Sequence, residues 1–144
     1  MMFSKLNFQY LISYLGLIPF ILIIFNKYFI LQVNEEKSQD FTIYYTLLIF
    51  VFIGAINWNL KERINNLTVI YGFIPSFLSA IIIIFNLLNY STIVIFSILI
   101  LLMCFQLVLD YFFVYLNTAD KKPFYLLRLP LSILISLSLL IIIL

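Results

Sequence analysis

The sequence predicts an all-α polytopic membrane protein: a bundle of about five transmembrane helices, with the N-terminus cytoplasmic and the C-terminus external. Three observations predict it. Hydrophobic residues make up 65% of the chain and charged residues 10%, against ~45–50% and ~25% in soluble domains. The apolar residues gather in five stretches, each near the ~20 residues that carry a helix across ~30 Å of hydrocarbon. The basic residues are shared unevenly between the two sides that those stretches would separate.

A chain of 144 residues has room for one domain, 1–144. A soluble fold of that size keeps too much of its surface wet to hide so much apolar area, so lipid is the natural solvent. Helices are required, because hydrocarbon offers no partner to backbone N–H and C=O groups, and no alternating strand pattern is present.

The first stretch covers about 8–26 and contains Gly16 and Pro19. Lys5 precedes it, as in a secretory signal, but Asn26-Lys27-Tyr28-Phe29 stands where a small-x-small cleavage site belongs, so a retained helix is expected. Pro19 predicts a kink, with neighbours or water satisfying the freed carbonyl. Residues 32–40, with Glu35, Glu36 and Asp40, are expected to form the longest loop, on the external side. The second stretch covers about 41–60 and the third 67–88. A tight polar turn at about 86–92 joins the third to the fourth, 91–116, and the fifth runs from 124 to 144. With alternating spans, Lys5, Lys61, Arg63, Lys121, Lys122 and Arg128 share one side, and Lys27 and Lys37 the other. That division, six and two, accounts for all eight basic residues. The richer side is expected in the cytoplasm.

The informative residues are the polar ones inside the spans. Asp110 precedes the 117–122 loop by about two turns, and Arg128 follows Pro123 by little more than one. At ~1.5 Å per residue both lie roughly 7–10 Å inside the same membrane face. A bare carboxylate there is costly, so an Asp110–Arg128 ion pair is expected in preference to an Arg128 that snorkels to the surface beside a wetted Asp110. Gln106 lies one turn from Asp110 on the same face. Arg128, Ser132 and Ser136 form one stripe on the last helix. Asn57, Trp58 and Asn59 close the second span, and Tyr71, Pro75 and Ser79 share a face of the third. Four helices thus bring polar residues to the cytoplasmic third, and the outer two-thirds read as almost purely aliphatic. The plain reading of this cluster is interfacial aromatics with Asn, Ser and Gln joining helices at about 1 kcal/mol per hydrogen bond.

Several chemistries lose their residues. The chain has no His and one Cys, so zinc, haem and cluster ligation lack a donor set, and no cofactor is expected. Cys104 sits deep in an apolar run, where a thiol behaves as a small hydrophobe. An intramembrane aspartyl protease needs two facing aspartates, and only Asp110 lies within the expected spans. A rhomboid-like serine protease needs a His base. There is no phosphate-binding Gly-rich loop and no basic block, so nucleic acid is not an expected partner. Asn66-Leu67-Thr68 and Asn89-Tyr90-Ser91 fit the glycosylation pattern but lie too near the bilayer to count.

Tyr14-Leu-Gly-Leu-Ile-Pro-Phe20, Gly54-Ala-Ile-Asn-Trp-Asn59, Tyr71-Gly-Phe-Ile-Pro-Ser76, Gln106 with Asp110, and Pro123-Phe-Tyr-Leu-Leu-Arg128 occur in that order along nearly the whole chain. In this ordered set the sequence resembles a family of small membrane proteins, described as a domain of unknown function, that includes the mitochondrial transmembrane protein 69. The resemblance implies a bacterial inner membrane, or a mitochondrial one, and no established activity. Where the family usually shows His-Trp-Gly, this chain has Asn57-Trp58-Asn59. Asn57 keeps a hydrogen-bonding side chain but cannot titrate or serve as an imidazole ligand.

Three functions fit the sequence. A non-catalytic accessory, assembly or scaffold component of a membrane complex is favoured by the missing catalytic groups and short loops. A small carrier or channel would bind an ion or small solute at Asp110. A membrane enzyme acting on lipid or quinone lacks a visible nucleophile–base pair. The expected partners are the lipid bilayer and other membrane-protein subunits or further copies of the chain.

Overall fold

The computed structural model describes residues 5–30, 33–56, 66–116 and 121–144, and every regular element among them is helical. The first span comprises α1 (Lys5–Leu15) and α2 (Ile18–Phe25), the latter running into a π-helical segment, Asn26–Ile30. Next come α3 (Glu35–Ile56), α4 (Asn66–Leu87) and α5 (Thr92–Asp110), which continues as a π-helical Tyr111–Tyr115. A third π-helical segment, Phe124–Arg128, leads into α6 (Leu129–Ile143). Among the described residues, five helices are long and apolar enough to cross a membrane: Tyr10–Phe29, Glu35–Ala55, Val69–Leu87, Thr92–Tyr115 and Phe124–Ile143.

Pro19 does more than kink its helix. It sits in the first turn of α2, where its missing N–H costs nothing, so the chain breaks before it and restarts. The break is closed by tight bonds from Gly16 N to Ser13 O (3.2 Å) and from Leu17 N to Tyr14 O (3.0 Å). The Gly16 carbonyl at the break accepts a hydrogen bond from the Tyr45 hydroxyl on α3 at 2.9 Å. The carbonyl that Pro19 frees is that of Leu15, four residues back; the Tyr45 hydroxyl serves the Gly16 carbonyl next to it.

The second span begins at Glu35 and not at Phe41, which corrects the expected loop over 32–40. Asn34 caps it: its Oδ1 accepts from Glu36 N at 3.1 Å and its carbonyl from Ser38 N at 3.0 Å. Glu35 and Glu36 then fall in the first turn, where the partial positive charge of a helix N-terminus favours them. Hydropathy alone assigned these carboxylates to a loop; capping makes them helical.

Between α4 and α5, Asn89 adopts a left-handed φ of 56°. Its N–H bonds Asn86 O at 3.0 Å, and Tyr90 N bonds Phe85 O at 3.1 Å. This paired closure is the Schellman motif that ends a helix, with Asn in place of the usual Gly.

α3 is the central helix, packed most extensively on α4 and also on α5, α6 and α2. α3 buries the largest share of its span and the first span the smallest. Gly54 lets α3 approach α4: a Cβ there would lie 2.6 Å from Pro75 Cγ and 3.2 Å from Gly72 O. The core runs through Ile43, Leu47 and Phe50 of α3, Phe96, Leu99 and Met103 of α5, and Ile135, Leu139 and Ile142 of α6. In lipid such packing, more than apolar burial, holds helices together.

Candidate functional site

Two facing stripes build the site. On α5 the buried residues Phe96, Leu99, Met103, Gln106 and Asp110 recur at intervals of three and four. On the last span Arg128 leads into buried Ser132, Ile135, Leu139 and Ile142 at the same alternating spacing. This is the heptad seam of helices that pack knobs into holes. Because α5 and α6 are antiparallel neighbours, the polar end of one stripe meets the polar end of the other. Arg128 Nε donates to Asp110 Oδ2, with side-chain exposures of 12% and 5%. Asp110 is therefore buried within the bundle and Arg128 mostly so.

A third helix completes the arrangement. The Tyr71 hydroxyl, on α4, donates to the other carboxylate oxygen, Oδ1. Tyr71 itself is buried, its ring 5.5 Å from that of Phe113. Gln106 Nε2 donates to the Phe50 carbonyl of α3 at 3.3 Å. Asp110 thus joins the third, fourth and fifth spans, and Gln106 ties the fourth to the second. The first span is linked separately: the Tyr14 hydroxyl donates to Leu126 O at 2.7 Å, inside the π-helical Phe124–Arg128. Asp110 immediately precedes one π-helical segment and Arg128 ends another. Such segments are rare in helices and concentrate at functional sites.

Some polar atoms here are buried without a hydrogen-bond partner among the described residues: Arg128 Nη2, Gln106 Oε1, Ser132 Oγ and Ser79 Oγ. Ser132 is buried beside the pair but forms no hydrogen bond to it among the described residues. Asn57, Trp58 and Asn59 lie outside the described residues. Among the described residues, no three His, Cys, Asp or Glu side chains come together to hold a metal ion.

The far side of the bundle is more polar than an aliphatic reading allows. Thr42 and Thr46 are fully buried in α3, donating back to Ser38 O at 2.7 Å and Thr42 O at 2.8 Å. Asn86, expected in a turn, is the penultimate residue of α4 and donates to Asp40 Oδ1 at 3.0 Å and to the Tyr44 hydroxyl at 3.2 Å. Lys27 Nζ donates to Ile142 O at 2.8 Å, capping the end of α6. The two threonine bonds are local to α3, but sequence spacing signals neither the Asn86 nor the Lys27 pairings, because these join helices distant along the chain.

Fold and site together define a class: among the described residues the chain is all-helical, with five helices long and apolar enough to cross a membrane, the last two joined by an ion pair on a buried carboxylate. No family model matches the chain, and neither a curated protein nor a solved structure matches it.

Proposed function

We propose that this chain is an integral membrane protein of a bacterial inner membrane, N-terminus cytoplasmic, acting as a non-catalytic accessory, assembly or scaffold component of a membrane complex. The basic-residue distribution supports the orientation, and the family resemblance supports the location, with a mitochondrial inner membrane as the alternative. One observation carries the functional reading. Both oxygens of Asp110, the buried carboxylate, are engaged by Arg128 and Tyr71 from two other spans. A carboxylate so held fixes helices together and is not offered to a solute. Among the described residues, the cleft lined by Lys27, Glu35 and Ser38 and the one lined by Leu107, Tyr111 and Phe124 do not include Asp110, Arg128, Gln106 or Tyr71.

A carrier for an ion or small solute is the second reading. The unpartnered Gln106 Oε1, Arg128 Nη2 and Ser132 Oγ beside Asp110 favour it, since intramembrane charge often marks a solute path. Gentle extraction from native membranes, followed by size analysis and mass spectrometry, tests the first reading. A stoichiometric membrane-protein partner is expected; a particle holding only this chain would overturn it. Asp110→Asn separates the two, since a carrier would keep normal abundance but lose transport.

A further inference from the structure

At the opposite end of the bundle from Asp110 lies a cleft of about 320 Å³ where the first span ends, the second begins and the last ends. Arg128 and Ile142 stand about 21 Å apart along the last helix by its ~1.5 Å rise per residue, so this cleft and the ion pair are separate sites. Its walls have two characters. Ile23, Val33 and Ile142 are apolar, whereas Lys27, Glu35 and Ser38 carry a cation, an anion and a hydroxyl. Ser38 is only 5% exposed, and its Oγ has no hydrogen-bond partner among the described residues. A buried hydroxyl left unpaired is costly, and here it lines an open cleft. Lys27 Nζ spends one of its three N–H groups on Ile142 O. Glu35 Oε1 stands 3.9 Å from that ammonium and accepts from Gln39 Nε2 at 3.4 Å, both long contacts for a carboxylate. Asn26 and Val33, both lining the cleft, exchange side-chain-to-backbone bonds of 3.3 and 3.2 Å.

We infer that this cleft binds the headgroup of a membrane phospholipid bearing a phosphate and a primary ammonium. Lys27 meets the phosphate with the N–H groups that its bond to Ile142 O leaves. Glu35 and the Ser38 hydroxyl accept hydrogen bonds from the ammonium. Ile23 and Ile142 line the apolar wall along which an acyl chain lies. A quaternary ammonium has no N–H to give Ser38 or Glu35, and an uncharged glycerol headgroup has no cation for Glu35, so the site selects among phospholipids.

The full chain, purified in mild detergent, is challenged with phosphatidylethanolamine, phosphatidylcholine and phosphatidylglycerol of matched acyl chains, and the retained lipid is read by native mass spectrometry. Phosphatidylethanolamine is expected to be retained about tenfold over the other two, the scale of one charge-assisted hydrogen bond. Glu35→Gln and Ser38→Ala are each expected to bring that ratio close to one. The Glu35 side chain is 67% exposed, so its amide variant keeps the fold and decides the matter if Ser38→Ala does not. Equal retention of the three lipids by the parent chain overturns the inference, as does a preference that survives Glu35→Gln. Complete displacement of the lipid by equimolar glycerophosphoethanolamine overturns it too, because the site would then take the free headgroup.

Discussion

Asp110 is a buried carboxylate, and Arg128 and Tyr71 are arranged to meet both of its oxygens. Removing one partner of a buried pair leaves an uncompensated charge, at a cost of about 3–5 kcal/mol. Arg128→Gln is therefore expected to lower thermal stability in detergent and abundance in the membrane sharply. The double variant Asp110→Leu with Arg128→Met is expected to recover most of that loss, because no charge remains buried; a double variant as unstable as the single one would refute a structural ion pair. Tyr71→Phe leaves Asp110 Oδ1 without its donor and is expected to cost about 1–3 kcal/mol in the same unfolding assay. At this scale the pairing of Asp110 with Arg128 was legible, since both residues fall at equal depth from one loop. Tyr71 was placed in the same polar cluster, but the hydrogen bond from its hydroxyl to Asp110 Oδ1 was not legible, because nothing in sequence spacing says which face of α4 turns toward α5.

At the scale of the element, local chemistry decides where helices start, stop and touch. Hydropathy averages over a span, so it located five helices but put the start of the second at Phe41, beyond the acidic turn that Asn34 caps. The contact of α3 with α4 depends on a missing Cβ. Gly54→Ala would place a methyl 2.6 Å from Pro75 Cγ, and the rigid ring cannot swing away. The helices must part, at an expected cost of about 1–3 kcal/mol, the usual scale of overpacking. Thermal unfolding of Gly54→Ala beside an exposed control such as Ala80→Gly checks it: a variant as stable as the parent would show that α3 and α4 do not approach closely at Gly54.

At the scale of the whole molecule, the proposed orientation rests on six basic residues against two. It is tested with single cysteines in a Cys104→Ser background, because Cys104 is exposed on the surface of the bundle. Glu36→Cys, exposed in the first turn of α3, is expected to react with a membrane-impermeant reagent added outside intact cells. Lys122→Cys is expected to react only after the membrane is opened, and the reverse pattern would invert the topology. Ser38, close in sequence, is too buried to serve as a labelling position. The sequence by itself determined that the chain is helical, that five stretches are long and apolar enough to cross a membrane, and that charge is buried at one end. Those properties are sums over residues adjacent along the chain: twenty apolar side chains make a span in any surroundings, and a lone carboxylate in hydrocarbon demands a partner. Only the tertiary structure decided that Tyr45 closes the break at Gly16, that Gln106 reaches the Phe50 carbonyl, that Lys27 caps α6, and that Tyr71 completes the Asp110 site. Each of those depends on which helical faces meet, and packing fixes that only when the whole bundle assembles.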